Sequence, residues 1–398
     1  MHYRFTDCLL DIDALTLTRS GQPVAVEPQV FDLIRLLVEN PGRVVTRDEI
    51  VAAVWGGRIV SESAISARIA AARKAVGDDG KAQKVIRTVA RRGLQMVAEI
   101  AYPTDAAPNG TSQPKPVTPP RVRYTSNPRG QMLAYTLFGT GPPVLNVSFF
   151  ARSIEREWHV GTRRTILESL AQDHEVACYD EIGSGLSDPD MTGVTYPGKA
   201  EDALAAADAA GFGSFSIFAE SGGALPAIIL AATHPDRVRC IVISGGYAEG
   251  HARRGDDSDT DYIRALISAG WDRPGSPFTR TYLTAYCPDG PYEAANEVAE
   301  MMRAAAKRDN MLHQRDLQNN ASVVDYLGSV QCPVLLIHGR RDSVHPLSGA
   351  QRLASGIPRA ELHVLDSANH LPLEGSGLLA PYLDTTKGFL AEHGRDPD

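Results

Sequence analysis

The sequence predicts an α/β protein of two folded units, of which the larger is built on a mostly parallel sheet. Its 398 residues exceed the roughly 250 to 300 at which a single hydrophobic core stops growing. Residues 101–122 hold six prolines among polar residues, which is typical of an extended linker. Beyond Arg123, apolar runs alternate with helical segments, the pattern of a parallel sheet covered on both faces. We therefore expect domains at residues 1–100 and 123–398, joined by 101–122.

Composition and charge exclude several classes of protein. The net charge is −8, 43% of residues are hydrophobic, and the five cysteines are far apart, which excludes disordered, collagen-like and disulfide-stapled chains. No run of about 18 apolar residues and no signal-peptide pattern is present, so we expect a cytoplasmic protein without a membrane partner. Residues 1–100 hold 14 basic and 12 acidic residues, against 26 and 36 in the remainder. This mild excess does not by itself indicate nucleic-acid binding.

The N-terminal unit begins with a strand pair and two helices. Alternating runs at residues 15–18 and 24–26 flank Ser20-Gly21, which predicts a hairpin. Pro28 opens a helix that stops before Pro41. Thr46, followed three residues later by Glu49, predicts a capping box that opens a second helix through Val54.

A third helix and a second hairpin complete the unit. The helix starts near Ser61 or Ser63 and stops at Gly77. Its buried stripe leaves Ser66 and several basic residues mostly outward. The hairpin pairs residues 85–89 with 94–97 across a basic tip.

The order of three helices followed by a basic hairpin resembles the winged helix-turn-helix domain of OmpR/PhoB-type regulators over residues 3–100. The specific parts are Val60-Ser61-Glu62-Ser63, Arg68-Ile69, Arg73-Lys74 and Ile86-Arg87-Thr88-Val89. The resemblance implies that the third helix lies in the major groove of double-stranded DNA and that the hairpin reaches phosphates or the minor groove. The candidate DNA-binding residues are Ser63, Ser66, Arg68, Arg73, Lys74, Arg87, Arg91 and Arg92. The alternative is that these arginines only form a solvated helix face.

Six short apolar runs are the clearest strands of the C-terminal unit. They are residues 143–147, 175–179, 214–218, 238–244, 333–337 and 361–365. The third runs through Ala219-Glu220-Ser221-Gly222-Gly223 into a helix, which is the form of a nucleophile elbow. Small residues two before and two after the serine let strand and helix approach closely.

Chain order strengthens this interpretation. Asp342 follows one later strand and His370 follows the next, and the order Ser, Asp, His is that of α/β-hydrolases. In this hypothesis Ser221 attacks a carbonyl, His370 transfers the proton and Asp342 orients the imidazole. Taken singly, the three could be a helix cap, a loop histidine and a turn carboxylate.

The sequence resembles the α/β-hydrolase superfamily over about residues 121–392, particularly hydrolase-like domains fused to regulatory modules. Supporting motifs are Gly139-Thr140-Gly141-Pro142-Pro143, Asp180-Glu181-Ile182-Gly183-Ser184-Gly185 and His338-Gly339-Arg340-Arg341-Asp342. By position the resemblance implies Phe150 and Gly222 as oxyanion donors. Relatives have His-Gly or Pro-Gly after the first central strand, where this chain has Ser148-Phe149. Turnover by the otherwise complete triad is therefore left open.

Residues 247–328 lose the strand pattern and are rich in large side chains. Such folds insert a helical lid here, and the side chains imply an apolar pocket that suits a small ester or lactone. No HExxH motif, metal-ligand cluster, dinucleotide loop or P-loop is present, so we expect neither a metal nor a cofactor.

Three functions remain. The first is a regulator that senses a small, mostly apolar carbonyl compound, with hydrolysis of that compound left open. The second is an active serine esterase or lactonase whose DNA-binding domain is secondary. The third is a DNA-binding protein with an inert hydrolase domain. The expected partners are DNA, the small molecule, RNA polymerase and a second copy of the chain.

Overall fold

The computed structural model describes residues 2–12, 15–40, 42–55, 60–89, 92–98, 100–101, 120–255 and 258–394. The chain divides into two compact units, residues 1–113 and 114–398. Most of the predicted linker, residues 102–119, lies outside the described residues. The exact domain boundaries therefore stay predictions.

The first unit contains eight strands and three helices within its described residues. They are β1 (His2–Phe5), β2 (Cys8–Asp11), β3 (Thr16–Arg19), β4 (Gln22–Val24), α1 (Pro28–Val38), β5 (Val44–Thr46), α2 (Arg47–Trp55), α3 (Glu62–Ala75), β6 (Ile86–Val89), β7 (Gly93–Met96) and β8 (Ile100–Ala101). The strands form one sheet in the order β4-β3-β2-β1-β8 and a second in the order β5-β7-β6. The predicted hairpins, β3–β4 and β6–β7, are both present.

The sequence interpretation missed strands β1, β2, β5 and β8. They are at most four residues long, so their alternation is too brief to stand out. Their apolar side chains enter one core with the helices: Phe5, Leu10 and Leu33 are at most 1% exposed. This burial turns three short helices into a stable domain, because isolated helices of this length are marginal in water.

The three predicted helix starts in this unit are all present, and α1 begins at Pro28. The backbone N–H of Thr46 donates to the Glu49 carboxylate at 2.7 Å, and the Glu49 N–H donates to the Thr46 hydroxyl at 3.3 Å, as a capping box requires. The Ser61 hydroxyl accepts from the Ala64 N–H at 3.3 Å and caps α3. Gly77 has a φ of +72° just beyond the helix, the left-handed conformation that ends a helix.

The second unit is a mixed sheet with helices. Its elements are β9 (Arg123–Ser126), β10 (Met132–Gly139), β11 (Pro143–Val147), α4 (Gly161–Ala171), β12 (Glu175–Tyr179), α5 (Tyr196–Ala209), β13 (Phe215–Glu220), α6 (Ala224–Thr233), β14 (Val238–Ser244), α7 (His251–Arg254), α8 (Ser258–Gly270), α9 (Pro277–Tyr286), α10 (Tyr292–Ala305), α11 (Arg308–Asn320), α12 (Val324–Leu327), β15 (Val334–Gly339), α13 (Leu347–Gly356), β16 (Ala360–Leu365) and α14 (Leu379–His393). Two single 3-10 turns, Glu157–His159 and Ser221–Gly223, complete it.

The eight strands are ordered β9-β10-β12-β11-β13-β14-β15-β16. All pairs from β12 to β16 are parallel, whereas β10 is antiparallel to both β9 and β12. The six predicted strands correspond to β11–β16, and three of them have the predicted bounds. The antiparallel pair β9–β10 was missed. Strand β9 is short and largely exposed, whereas β10 is an eight-residue, largely apolar run that the sequence interpretation overlooked.

Helices α7–α12 interrupt the alternation between β14 and β15. They occupy the predicted lid region, and buried side chains of α8–α11 form a cluster with the loop after β11. None of the helices in the described ranges is long and apolar enough to cross a bilayer.

Candidate functional site

The outward face of α3 is narrow and carries mostly small side chains. Ser63, Ser66, Ala67, Ala70 and Lys74 are exposed and recur at intervals of three and four residues, so they share one face of the helix. The face therefore offers two hydroxyl groups, one ammonium group and little bulk to a groove.

Two predicted DNA contacts on α3 have partners inside the domain. Arg68 Nε donates to Gln29 Oε1 at 3.0 Å and its Nη1 lies 2.6 Å from Glu27 Oε2, which ties α3 to the start of α1. The Arg73 guanidinium donates to the Ile86 carbonyl at 3.0 Å and to the Thr88 hydroxyl at 2.8 Å. These contacts differ from the outward orientation that the helical pattern predicts. DNA contact by either arginine stays a prediction.

The hairpin β6–β7 presents Arg87 and Arg92 to solvent. Arg91 lies outside the described residues. The pairing of β7 with β5 brings Gly93 against the neighbouring strand, where an added Cβ would stand 1.9 Å from the Val45 carbonyl oxygen. Glycine is therefore required at the base of this hairpin.

The nucleophile elbow has the backbone that the sequence predicts. Ser221 follows β13 directly and has a φ of +51°, a conformation that costs a non-glycine residue about 1–3 kcal/mol. An added Cβ on Gly223 would lie 2.1 Å from the Val147 carbonyl oxygen. A small residue is thus needed two positions after Ser221, because the elbow packs on the end of β11.

The structure brings Ser221, His370 and Asp342 into one hydrogen-bonded chain. Ser221 Oγ lies 2.8 Å from His370 Nε2, and His370 Nδ1 lies 2.8 Å from Asp342 Oδ2. Gly245 leaves room for the imidazole, since an added Cβ there would lie 2.7 Å from His370 Cε1. These distances suit proton transfer from the serine to the imidazole as the serine attacks a carbonyl carbon.

Asp342 is held as a carboxylate. Burial by itself would raise the pKa of Asp342, but the charge and hydrogen bond of His370, with a smaller effect of His338, hold this pKa below its usual value. Asp342 Oδ1 also accepts from the Val344 and His345 N–H groups at 2.8 and 2.9 Å. A fixed carboxylate orients the imidazole and stabilises its protonated form.

The two expected oxyanion donors lie beside the nucleophile. Phe150 lines the cavity into which Ser221 opens, and Gly222 follows Ser221 in the turn. Gln318 Nε2 stands 2.7 Å from where a Cβ on Gly222 would be, so a side-chain amide from α11 borders the same turn. The oxyanion role of Phe150 and Gly222 stays a prediction.

A buried ion pair beneath the nucleophile was missed. Glu220, the residue before Ser221, accepts from Arg163 in a bidentate contact with N–O distances of 2.6 and 2.9 Å, and from the Ser148 hydroxyl at 3.0 Å. Burial would raise the pKa of Glu220, but Arg163 holds it below its usual value. The only signal in the sequence was a charged residue, Glu220, at the end of the apolar strand β13. This signal did not identify Arg163 as the partner.

Lid side chains line the cavity over Ser221. Its empty volume, including the solvent space open to it, is about 450 Å³. The lid side chains that line it are Tyr282, Leu283, Tyr286, Met302, Met311, Gln314 and Gln318. The wall is thus mainly apolar, with polar atoms concentrated near the nucleophile. In the described ranges, no group of three or more His, Cys, Asp or Glu side chains could hold a metal ion.

Residues 156–376 match the family described as "alpha/beta hydrolase fold". The chain belongs to this family. Residues 21–96 match a second family, "Transcriptional regulatory protein, C terminal". A winged helix-turn-helix domain of the transcriptional-regulator type therefore precedes the hydrolase-fold domain, which confirms the predicted fold class.

Relatives match each domain separately. The chain is 26% identical over 263 residues to 2-hydroxy-6-oxononadienedioate/2-hydroxy-6-oxononatrienedioate hydrolase of Burkholderia vietnamiensis, covering 63% of this chain and 84% of the relative. It is 30% identical over 114 residues to transcriptional activator CadC of Escherichia coli, covering 28% of this chain and 22% of CadC. A solved hydrolase from Pseudomonas aeruginosa PA01 matches at a TM-score of 0.57 and 22% identity, over 68% of this chain and 98% of that structure, which shows the fold alone.

Proposed function

We propose that this protein is a DNA-binding transcriptional regulator whose hydrolase-fold domain binds a small, mostly apolar carbonyl compound of ester or lactone type. The observation that carries the proposal is the hydrogen-bonded Ser221, His370 and Asp342 chain beneath an apolar cavity, in a chain that also contains a winged helix-turn-helix domain. The relative from Burkholderia vietnamiensis is named for hydrolysis of an oxo compound, which supports a carbonyl ligand.

Hydrolysis of the bound compound is the second part of the proposal. Ser221 Oγ bonds to the carbonyl carbon while its proton passes to His370 Nε2, and the collapse of the tetrahedral intermediate returns that proton to the leaving oxygen. Water then repeats the sequence and releases the acid. A regulator with this chemistry destroys its own effector.

The experiment compares the parent with Ser221→Ala and with Ser329→Ala, an exposed serine that serves as the control. Each is incubated with short-chain 4-nitrophenyl esters and γ- and δ-lactones, and ligand-dependent changes in DNA affinity are followed by fluorescence anisotropy on a DNA selected by the parent. We expect hydrolysis by the parent and Ser329→Ala but not by Ser221→Ala, and a ligand effect on DNA affinity in all three. No hydrolysis, no ligand-induced stabilisation and no change in DNA affinity would contradict the proposal.

The triad distances favour a second candidate, an active esterase or lactonase in which DNA binding is secondary. The two functions differ in coupling, because an allosteric ligand must bind two states of the protein with different affinity. Turnover with DNA affinity unchanged by ligand, measured on the non-hydrolysing Ser221→Ala variant, would favour this second candidate.

The DNA-binding surface has a separate test. We propose that Ser63, Ser66, Lys74, Arg87 and Arg92 contact DNA, since all five are exposed. Each lost phosphate contact should weaken binding and lower the slope of log affinity against log salt by about 1. Lys74→Ala and Arg92→Ala should show this change, whereas Arg359→Ala in the other unit should not. A footprint on DNA that fits one copy of the protein would contradict the proposed homodimer. DNA binding that RNA polymerase does not change would contradict the proposed polymerase partner.

A further inference from the structure

Arg315, on the lid helix α11, is a buried cation with few partners. It is 5% exposed. Its Nη1 donates to the Tyr286 hydroxyl at 3.4 Å, and its Nε has no hydrogen-bond partner. Among the side chains that the structure describes in residues 120–255 and 262–394, no carboxylate forms an ion pair with it.

Other deeply buried cations of the same unit have carboxylate partners. Arg152 lies 2.5 Å from Glu157, and Lys199 lies 2.6 Å from Glu181. A buried charge destabilises the fold unless it is paired and hydrogen-bonded. Arg315 therefore differs from these cations in lacking the carboxylate that would compensate its burial.

The Arg315 guanidinium lines a second cavity. This space, about 430 Å³ including the solvent open to it, is bordered by Arg315, Tyr286, His251, Ser343 and others, but by no carboxylate among the described residues. Tyr286 also lines the cavity over Ser221, and its ring meets the His370 ring edge-on at 5.7 Å. The two cavities therefore share the wall formed by Tyr286.

Helix α11 serves both cavities. Gln314 and Gln318 line the space over Ser221, while Arg315 lines the adjoining space. A compound that reaches past Tyr286 would place one end at Ser221 and the other at a cation that has no carboxylate partner among the described side chains. One end offers the Ser221 hydroxyl and the other the Arg315 guanidinium. Because these groups bind different parts of a ligand, they can fix its orientation.

We infer that Arg315 is an anion-binding residue and that the carbonyl compound carries a carboxylate that pairs with it, as in a half-ester of a dicarboxylic acid. This inference rests on the proposed function, which by itself requires only an uncharged carbonyl group. The guanidinium fork suits a carboxylate, because two N–H groups can donate to its two oxygens. The Tyr286 hydroxyl then gives up or shares its weak contact with Arg315.

The test measures binding to the full-length Ser221→Ala variant, which retains any bound ester. The probes are the monomethyl esters of glutaric, adipic and suberic acids and the matching dimethyl esters, followed by calorimetry. We expect one half-ester of the series to bind on the order of 10- to 100-fold more tightly than its diester, since charge-assisted hydrogen bonds are about twice as strong as neutral ones. The best chain length reports the reach from nucleophile to guanidinium.

Arg315→Gln, added to this background, should abolish the preference for the half-ester while leaving diester affinity within about twofold; Arg315→Lys should keep part of the preference. Arg264→Gln is the matched control, because Arg264 is a lid arginine paired with Asp316 at the surface. Circular dichroism and the unfolding temperature verify folding, and we expect Arg315→Gln to be at least as stable as its background because it removes an uncompensated buried charge.

Equal binding of half-ester and diester, or a preference that survives Arg315→Gln, would overturn the inference and leave an uncharged ligand for the proposed function. Failure of every ester and lactone to bind would overturn both. The two failures are therefore distinguishable.

Discussion

Removing Arg163 from beneath the nucleophile should strongly destabilise the hydrolase-fold domain. The Arg163 and Glu220 side chains are 3% and 2% exposed and share a bidentate contact. Truncating one partner of a buried pair costs about 3–5 kcal/mol, because the other charge loses its main compensation. For Glu220, the Ser148 hydroxyl and the charge of Arg152 would remain. Arg163→Met should lower the free energy of unfolding by this amount. The double change Arg163→Met/Glu220→Met should recover most of it, because an apolar pair of similar volume is often neutral.

The free energy of unfolding lost in Arg163→Met should depend on pH. In the parent, the pKa of Glu220 lies below its ordinary 4.5 despite burial, because Arg163 stabilises the carboxylate. The ion pair therefore adds stability above about pH 4.5, and this is lost as pH falls through the folded-state pKa. Without Arg163, burial is opposed by the charge of Arg152 and the Ser148 hydroxyl but no longer by a paired guanidinium, so we expect this pKa to rise above the unfolded value. The deficit of Arg163→Met should then be largest near neutral pH and shrink as pH falls toward 4.5.

Urea unfolding followed by tryptophan fluorescence measures this deficit. Trp158 and Trp271 are buried in the hydrolase-fold domain, and a Trp55→Phe background removes the signal of the other unit. The four proteins of the double-mutant cycle are compared at about pH 5 and about pH 8. A loss below about 1 kcal/mol, the same loss at both pH values, or a double variant as unstable as Arg163→Met would refute the reasoning.

Three further predictions concern local geometry. Thr46→Ala should lower the free energy of unfolding of the N-terminal domain in urea by about 1 kcal/mol, because a helix cap is lost. Hydrogen bonds from Thr46 hold the pKa of Glu49 at about 2, against 4.5 in the unfolded chain, so the stabilising effect of Glu49 should persist above about pH 4.5 and fade toward pH 2. The stability of Glu49→Gln should therefore change less with pH in a parallel titration. Gly93→Ala should abolish DNA binding in a gel-shift assay, because its Cβ would stand 1.9 Å from a carbonyl oxygen of β5; unchanged affinity would contradict the need for this strand pairing. Gly245→Ala should reduce ester hydrolysis at least about 100-fold with little change in ligand affinity, since its Cβ would displace the His370 ring; a normal rate would show that the ring can shift without loss.

The central strands and the triad could be predicted because their signals are local. Strands β11, β12 and β14 are apolar runs bounded by turn residues, and a strand buried on both faces must be apolar whatever its neighbours are. The elbow needs small residues around Ser221 for steric reasons, and the order of Asp342 and His370 after later strands follows from the parallel topology.

Contacts between distant segments could not be predicted in the same way. A helical pattern places Arg68 and Arg73 outward, but it does not show that Glu27 and the Ile86 carbonyl lie within reach. Strand β9 is largely exposed and acquires its strand conformation by pairing with β10. Such pairing depends on the rest of the sheet rather than on residue propensity.

The sequence by itself determined two domains, a winged helix that precedes an α/β-hydrolase fold, and the three residues proposed as nucleophile, base and orienting carboxylate. These depend on apolar periodicity, on residue size at a strained turn and on chain order. Only the tertiary structure decided which charges are buried and with what they pair. Arg163 and Arg315 both lie on helices whose sequences are largely polar, yet packing gave Arg163 a carboxylate beneath Ser221 and left Arg315 facing a cavity. Burial and pairing depend on which segments meet in space, and that is a property of the whole fold.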